Sequence, residues 1–166
     1  MIGSAAEGAA AFGLFAFRLS HGFLDKKVIN LDMVAEDKES AIRFLSDLLY
    51  KAGYVSDIDG FVKDVFVRES EGITGIGNHV AIPHGKSDFV KKVGIAIGKT
   101  KKMIAWESYD EQPVHYIFLF AVPSDNENAT VHLKLLSELA GKLGNEQTME
   151  KLEACKNFSD LTKAFE

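Results

Sequence analysis

Apolar residues follow a helical spacing in two stretches of the first half of the chain. Between residues 40 and 49 they recur at positions 41, 42, 45, 48 and 49, which predicts an amphipathic helix. Asp37 is the expected N-cap of this helix and Gly53 its expected C-cap. A second stripe at positions 58, 61, 62, 65 and 66 predicts a helix that begins near Ser56. A capping box from Ser56 to Asp59 would start it, and it would end around residues 68–69.

Strand-like runs lie before and after these helices. Residues 28–31 predict a short entry strand, residues 93–97 and 103–106 are two further candidates, and residues 114–122 form an almost continuous apolar run. A strand that is apolar at both alternating sets of positions is covered on both faces, as in the centre of a sheet between helix layers. Three helices over about residues 128–143, 146–155 and 159–165 close the chain. The pattern predicts an α/β fold with a mixed sheet and helices packed on both faces.

Length and composition restrict the class of protein. The 166 residues form one domain, and 46% apolar residues suffice for a substantial core. A formal net charge of −5 argues against a nucleic-acid partner, because binding to phosphates independently of sequence needs a basic surface. Cys155 has no second cysteine to pair with, which excludes a disulfide framework and is compatible with a reducing cytosol.

The first 27 residues differ in composition from the rest. Their apolar run at residues 9–17 is too short for a bilayer, which takes about 20 helical residues. No Lys or Arg precedes the run, so a signal peptide is not indicated. A start-site artefact, a tail from a longer membrane-linked polypeptide and an extra docking helix all remain open. We interpret residues 1–27 as an apolar appendage and residues 28–166 as the domain.

Most familiar binding motifs are missing. The chain has no GxGxxG, no P-loop Gly-Lys-Ser/Thr, no Gly-x-Ser-x-Gly elbow and no Cys or His cluster with structural zinc spacing. The Gly-rich residues 72–78 lead into a predicted strand, not a helix. The sequence therefore predicts neither a cofactor nor a metal.

One histidine has unusual neighbours. His84 follows Pro83, which fixes φ, and precedes Gly85, which has no side chain to cover it. Such a histidine sits on stiff backbone at the end of a strand with its ring accessible, which suits a nucleophile that a second macromolecule must approach. From these residues alone, a loop histidine without a role remains open.

The run GIGNHVAIPHG at residues 75–85 resembles the phosphorylation-site signature of enzyme IIA domains of the fructose/mannitol type. These domains belong to the bacterial phosphoenolpyruvate-dependent sugar phosphotransferase system (PTS). The similarity covers roughly residues 28–166. It includes Arg68 before the Gly-rich loop, the strand at residues 113–123 and His132 in the following helix.

The resemblance implies a phosphotransferase with His84 as its nucleophile. His84 would accept a phosphoryl group from the histidine phosphocarrier protein, through Nε2 in the family pattern, and pass it to a cysteine of a IIB domain. Arg68 and His132 would complete the catalytic set, Arg68 because its planar fork suits phosphate. A helix-end arginine and an exposed helix histidine are the plain structural alternatives for these two.

A phosphate-binding role is also expected for the residues around the Gly-rich turn. The side chains of Thr74 and Asn78 and the amides of Gly75 and Gly77 could hold phosphate oxygens, or could simply form the turn. Residues 86–102 contain six lysines and one aspartate. They form either two solvated loops or a basic stripe that seats a partner or steadies a phosphohistidine.

The remaining aromatic residues are expected to be structural. If residues 79–84 are extended, His79 and His84 point to opposite faces, which makes His79 a rim histidine and the two a poor metal pair. His115 is expected to be a satisfied core histidine, and Trp106 a core or interface residue.

Three functions are compatible with these residues and with the resemblance. The first is a cytoplasmic phosphotransfer component for uptake of fructose, mannitol or a related sugar, which meets the membrane only through a IIC permease. The second is a nitrogen-type IIA module whose phosphorylation state controls a protein partner. The third is a degenerate domain of a transcriptional regulator, which the presence of Arg68, His84 and His132 disfavours.

Overall fold

A computed structural model describes residues 24–125 and 129–166. The strands are β1 (Ile29–Met33), β2 (Gly75–Gly77), β3 (Val80–Ala81), β4 (His84–Ser87), β5 (Gly94–Ile104) and β6 (Val114–Pro123). The helices are α1 (Lys38–Lys51), α2 (Ile58–Glu71), α3 (Ala129–Leu143), α4 (Glu146–Ala154) and α5 (Phe158–Ala164). None of the helices in these ranges is long and apolar enough to cross a membrane.

Of the predicted appendage, residues 1–23 lie outside the described part of the chain. Leu24 is buried in the hydrophobic core, and a 3-10 helix, Lys26–Val28, leads into β1. The domain boundary at residue 28 stays a prediction.

The starts of the first two helices follow their capping residues. Asp37 caps α1 as predicted, because its carboxylate accepts from the Ser40 amide while the Ser40 hydroxyl interacts with the Asp37 backbone. The predicted capping box of α2 is wrong by one residue, since Asp57 is the N-cap and accepts from the Gly60 amide. The Ser56 amide and hydroxyl donate instead to the Phe89 carbonyl. A tertiary contact therefore uses the groups that a local cap would have needed.

The two strands predicted at residues 93–97 and 103–106 are one strand, β5. The polar residues between them suggested a loop, yet two of the lysines there have partners elsewhere in the fold. The Lys99 ammonium donates to three carbonyls at the end of α4, and Lys101 forms an ion pair with Asp32. Contacts outside the strand thus keep a polar stretch extended.

The sheet is mixed, as predicted. Its order is β1-β5-β6-β3-β2, and β4 also pairs with β6. The β1–β5, β3–β6 and β4–β6 pairs are parallel, whereas β5–β6 and β2–β3 are antiparallel. Strand β6 lies in the middle of the sheet, in agreement with its apolar pattern.

Both faces of the sheet are covered, which confirms the predicted architecture. On one face Phe118 and Phe120 of β6 join the apolar side chains of α3, α4 and α5 in one core cluster. On the other face Ile117 and Leu119 join those of α1 and α2 in a second cluster. Helices α2 and α3 therefore lie on opposite faces of the sheet.

Candidate functional site

Strands β3 and β4 pair with β6 one after the other, in the same register. Val80 pairs with Tyr116 and His84 with Phe120, so the same offset holds on both sides of Pro83. Proline has no amide hydrogen and interrupts the ladder there, although its carbonyl still accepts from the Phe120 amide. Because β2 pairs with β3 and not with β4, His84 begins a segment at the edge of the sheet.

Gly85 lets this edge approach α2 closely. A Cβ at this position would lie 2.7 Å from Val65 Cγ2 and 2.8 Å from Phe61 Cε2. Any larger residue would push β4 away from the helix. Gly85 is therefore needed for close packing under the histidine, in addition to leaving the ring uncovered.

The hydrogen bonds of His84 determine its tautomer. Nδ1 lies 3.2 Å from the Ile82 carbonyl oxygen, which can only accept, so Nδ1 is the protonated nitrogen. In the neutral ring, Nε2 then keeps a lone pair, which accepts a hydrogen bond from Arg68 Nε at 3.0 Å. The nitrogen that the family pattern implies is the one left unprotonated.

Arg68 comes from the last turns of α2. Its Nε binds the His84 ring, and Nη1 lies 3.5 Å from the Gly72 carbonyl oxygen just beyond the helix. The guanidinium still has further N–H donors available beside Nε2. A phosphoryl group on Nε2 would lie next to a fixed positive charge.

A cavity of about 370 Å³ lies beside this pair, where α2 and α3 flank the sheet edge. It is lined by Asp64, Val67, Arg68 and Glu71 of α2, His84 and Lys86 of β4, Phe120 and Val122 of β6, and His132, Leu133 and Leu136 of α3. The three residues predicted to be catalytic therefore line one cavity, although they are far apart in sequence.

His132 enters this cavity from α3. The residue is only 6% exposed, and its Nδ1 has no hydrogen-bond partner within the described residues. A buried ring nitrogen without a partner is uncommon, because an unmade hydrogen bond is costly. His132 thus has an unused polar atom beside the nucleophile.

The environment lowers the pKa of both histidines. Burial lowers the pKa of His84, and the charge of Arg68 acts in the same direction, while the Ile82 hydrogen bond opposes them. Burial also lowers the pKa of His132, with Lys86 adding to the shift and Asp125 opposing it. Both rings are therefore neutral near pH 7, and His84 keeps the lone pair that a nucleophile needs.

The model of the family "Phosphoenolpyruvate-dependent sugar phosphotransferase system, EIIA 2" matches residues 22–166. The chain belongs to this family. It is 36% identical over 126 residues to the PTS system fructose-specific EIIA component of Haloferax volcanii, covering 76% of this chain and 80% of that protein. It is also 36% identical over 129 residues, 78% of this chain, to the fructose-specific EIIABC component of Bacillus subtilis, of which it spans only 20%.

The solved structures agree on the fold. The nitrogen regulatory protein IIA-Ntr from Neisseria meningitidis superimposes with a TM-score of 0.77 at 29% identity, covering 87% of this chain and 97% of that one. The resemblance of residues 75–85 to the IIA signature is thus confirmed at the level of the family. As an EIIA-family member, the chain is a phosphotransferase component.

The four residues predicted to bind phosphate lie elsewhere in this IIA domain. None of Thr74, Gly75, Gly77 and Asn78 is among the described residues that line the cavity. The buried Thr74 hydroxyl donates to Glu69 and accepts from Trp106. Gly75 and Gly77 donate their amides to residues 107 and 108. These contacts give Thr74, Gly75 and Gly77 a structural role, and the binding of phosphate by the four residues stays a prediction.

His79 and His115 are not among the described residues that line the cavity. His79 is not extended, as the opposite-face argument assumed, but has a φ of +62° after Asn78 at +54°, a two-residue turn between β2 and β3. Its Nδ1 donates to the Pro113 carbonyl, and His115 Nε2 lies 2.7 Å from Glu153 Oε1. No three His, Cys, Asp or Glu side chains of residues 24–125 and 129–166 are grouped as metal ligands.

Three charged residues of the cavity were not predicted from the sequence. Asp64 and Glu71 lie one helical turn before and after Arg68, which is the spacing that places them on its face of α2. Lys86 lies two residues after His84 on a strand, and thus on the same face. Periodicity counted outward from Arg68 and His84 would have found all three.

Proposed function

We propose that this IIA domain accepts a phosphoryl group on Nε2 of His84 and passes it on to a second protein. The tautomer of His84 supports this most directly. Its Nδ1 hydrogen is held by the Ile82 carbonyl, so the Nε2 lone pair lies beside the Arg68 guanidinium at the edge of the sheet. A site at an edge suits a group that two different macromolecules must approach in turn.

The transfer itself requires little covalent chemistry from the protein. The donor is a phosphohistidine of the histidine phosphocarrier protein. The Nε2 lone pair of His84 forms the new P–N bond, and the donor nitrogen keeps the electron pair of the bond that breaks. The proton on Nδ1 stays on the ring. Positioning and positive charge near the phosphoryl oxygens are the main contributions expected of the protein.

Arg68 and His132 have separate parts in this scheme. On phosphorylation, Arg68 exchanges its hydrogen bond to Nε2 for bonds to the phosphoryl oxygens, which its fork geometry favours. Neutral His132 offers a ring N–H to the same group, and its unpartnered buried nitrogen is consistent with a contact made only in the phosphorylated state.

A cysteine of a IIB domain is the proposed acceptor, in a cytoplasmic pathway for fructose, mannitol or a related sugar. Two relatives support it: the Haloferax volcanii protein is named a fructose-specific EIIA component, and the Bacillus subtilis one an EIIABC component. The second candidate is a regulatory IIA module acting on a protein partner. The similarity to the Neisseria meningitidis nitrogen regulatory protein favours that reading.

Phosphorylation of the purified protein tests the proposal. We expect incubation with phosphoenolpyruvate, enzyme I and the phosphocarrier protein to add one acid-labile phosphate, located on His84 by peptide mapping under alkaline conditions. The His84→Ala variant should take up none while unfolding like the wild type. His79→Ala is the matched control, because its ring lies outside the cavity lining, and it should be labelled normally. Normal labelling of the His84 variant would refute the assignment.

Transfer onward separates the two candidates. If the phosphorylated protein loses its phosphate to a purified fructose-type IIB domain, and the label is recovered on a IIB cysteine, the transport role is supported. If the phosphate stays on His84 with that acceptor and with a mannitol-type IIB domain, the regulatory role is favoured.

A further inference from the structure

Lys86 lies next to the nucleophile for a simple reason of strand geometry. Side chains two residues apart on a strand point to the same face, so Lys86 follows His84 there. Their partners on β6, Phe120 and Val122, lie on that face as well, and all four residues line the cavity. Of the six lysines in residues 86–102, only Lys86 is part of the described cavity lining.

The ammonium group of Lys86 is unused. Within the described residues it has no hydrogen bond and no ion pair, whereas other lysines of the same stretch are engaged. Lys99 donates to three backbone carbonyls, Lys101 pairs with Asp32, and Lys92 lies over the Tyr54 ring. Lys86 is therefore free to bind an anion in the cavity.

The charges of the cavity favour a second cation beside a phosphoryl group. Its described lining has two carboxylates, Asp64 and Glu71, and two cations, Arg68 and Lys86. The Ser87 hydroxyl donates to Asp64 at 2.5 Å, which holds that carboxylate in place. A phosphoryl group adds further negative charge to this space. With Arg68 alone, the phosphorylated cavity would be strongly negative.

We propose that Lys86 is a further catalytic residue, which binds the oxygens of the phosphoryl group on His84 from the side opposite Arg68. This inference rests on the proposed function and names a residue that the resemblance does not include. During transfer the P–N bond of the donor breaks and the bond to Nε2 forms, while the Lys86 ammonium keeps its protons and contributes charge-assisted hydrogen bonds. It thereby stabilises the phosphorylated state relative to the free histidine.

The electrostatics of His132 support the same placement. The positive charge of Lys86 helps to lower the pKa of His132, against the opposing effect of Asp125. Lys86 is therefore close enough to act on His132, which lines the same cavity as His84. This effect exists without phosphate, which provides a measurement of the position of Lys86 that is independent of phosphoryl transfer.

Three variants test the inference. Lys86→Met removes the charge and keeps the length of the side chain, Lys86→Arg keeps the charge, and Lys102→Met removes an exposed lysine of the same stretch that is outside the described cavity lining. The equilibrium constant for phosphoryl transfer from the phosphocarrier protein is measured for each. We expect it to fall about ten- to a hundredfold in Lys86→Met, the range for lost hydrogen bonds to charged groups. Lys86→Arg and Lys102→Met should remain close to wild type.

An NMR titration of His132 in the unphosphorylated proteins supplies the second reading, with a higher pKa expected in Lys86→Met only. Three results would overturn the inference: an unchanged equilibrium in Lys86→Met, an equal loss in Lys102→Met, or an unchanged His132 titration. Failure of the wild type to accept phosphate would contradict the proposed function as well. A phosphorylated wild type with an unaffected Lys86→Met variant would contradict the inference alone.

Discussion

At the scale of single residues, the nucleophile is prepared by its backbone neighbours. The Ile82 carbonyl holds the Nδ1 hydrogen of His84, Pro83 stiffens the chain between them, and Gly85 allows the strand to approach α2. Among the described residues, Arg68 is the one hydrogen-bond partner of the His84 ring that comes from a distant part of the chain. Local geometry therefore leaves the reactive nitrogen, Nε2, unprotonated, and α2 supplies the positive charge beside it.

The Arg68→Ala substitution tests whether α2 supplies the electrostatic environment of the His84 ring. In Arg68→Ala we expect slower phosphoryl transfer, because the transition state loses about 2.7–4 kcal/mol of stabilisation, as when a single oxyanion donor is removed. The pKa of His84 should rise, since the guanidinium charge lowers it. Single-turnover transfer rates and an NMR titration of His84 measure the two effects. Arg43→Ala, which breaks exposed ion pairs with Glu39 of α1 and Asp59 of α2, is the control. Wild-type rates in Arg68→Ala would contradict a role in transfer and leave Arg68 as a structural residue at the end of α2.

At the scale of elements, a buried network ties the end of α2 to its surroundings. The Glu69 side chain is 5% exposed and bonds with Lys38 of α1 at 2.5 Å and with the Thr74 hydroxyl at 2.7 Å. Trp106 donates its indole N–H to the same hydroxyl. The network begins one residue after Arg68, so it holds the helical turn that presents the guanidinium to His84.

Breaking this network should destabilise the protein. Lys38→Met leaves the Glu69 carboxylate buried without its cation, and we expect a loss of about 3 kcal/mol in the free energy of unfolding. Lys51→Met, at the other end of α1, removes an exposed pair with Asp47 and should change it by less than about 1 kcal/mol. Urea denaturation of the two variants measures the difference. Equal effects would show that the buried pair contributes no more to the free energy of unfolding than the exposed pair.

At the scale of the whole molecule, the site exists because two helices on opposite faces of the sheet meet at one edge. Helix α2 supplies Arg68, α3 supplies His132, and β4 places His84 between them. The two core clusters fix these helices through β6, whose side chains are buried on both faces. The geometry of the cavity therefore depends on the packing of the entire domain.

Because His84 and His132 are neutral in the folded protein, the free energy of unfolding should depend on pH. The pKa values of His84 and His132 are lowered from the ordinary value of 6.5 in the folded state, so the unfolded chain binds protons more readily. The contribution of the two neutral histidines to the free energy of unfolding is complete above about pH 6.5. It is lost as the pH falls through their pKa values in the folded state. Urea midpoints between pH 7.5 and 5 measure this, a range that lies above the ordinary carboxyl values. The His84→Gln/His132→Gln variant should show a flatter profile, and an equal slope would refute the explanation.

Several features of this IIA domain could be predicted because their causes are local. The helical stripes, the Asp37 cap, the doubly buried β6 and the motif around His84 all follow from residues close together in the chain. The prediction was wrong where a distant contact decided the outcome. Ser56 is bound by the Phe89 carbonyl, and Lys99 by carbonyls at the end of α4. Spacing in sequence does not include such partners.

The family, the alternation of helices and strands, and the identity of His84 as the candidate nucleophile could be inferred from the sequence alone, since each depends on a short run of side chains. The three-dimensional structure was needed to show which nitrogen of His84 is free, that Arg68 binds it, and that His132 lines the same cavity. The first depends on the conformation of the backbone around Pro83, and the other two depend on the packing of α2 and α3 against the sheet.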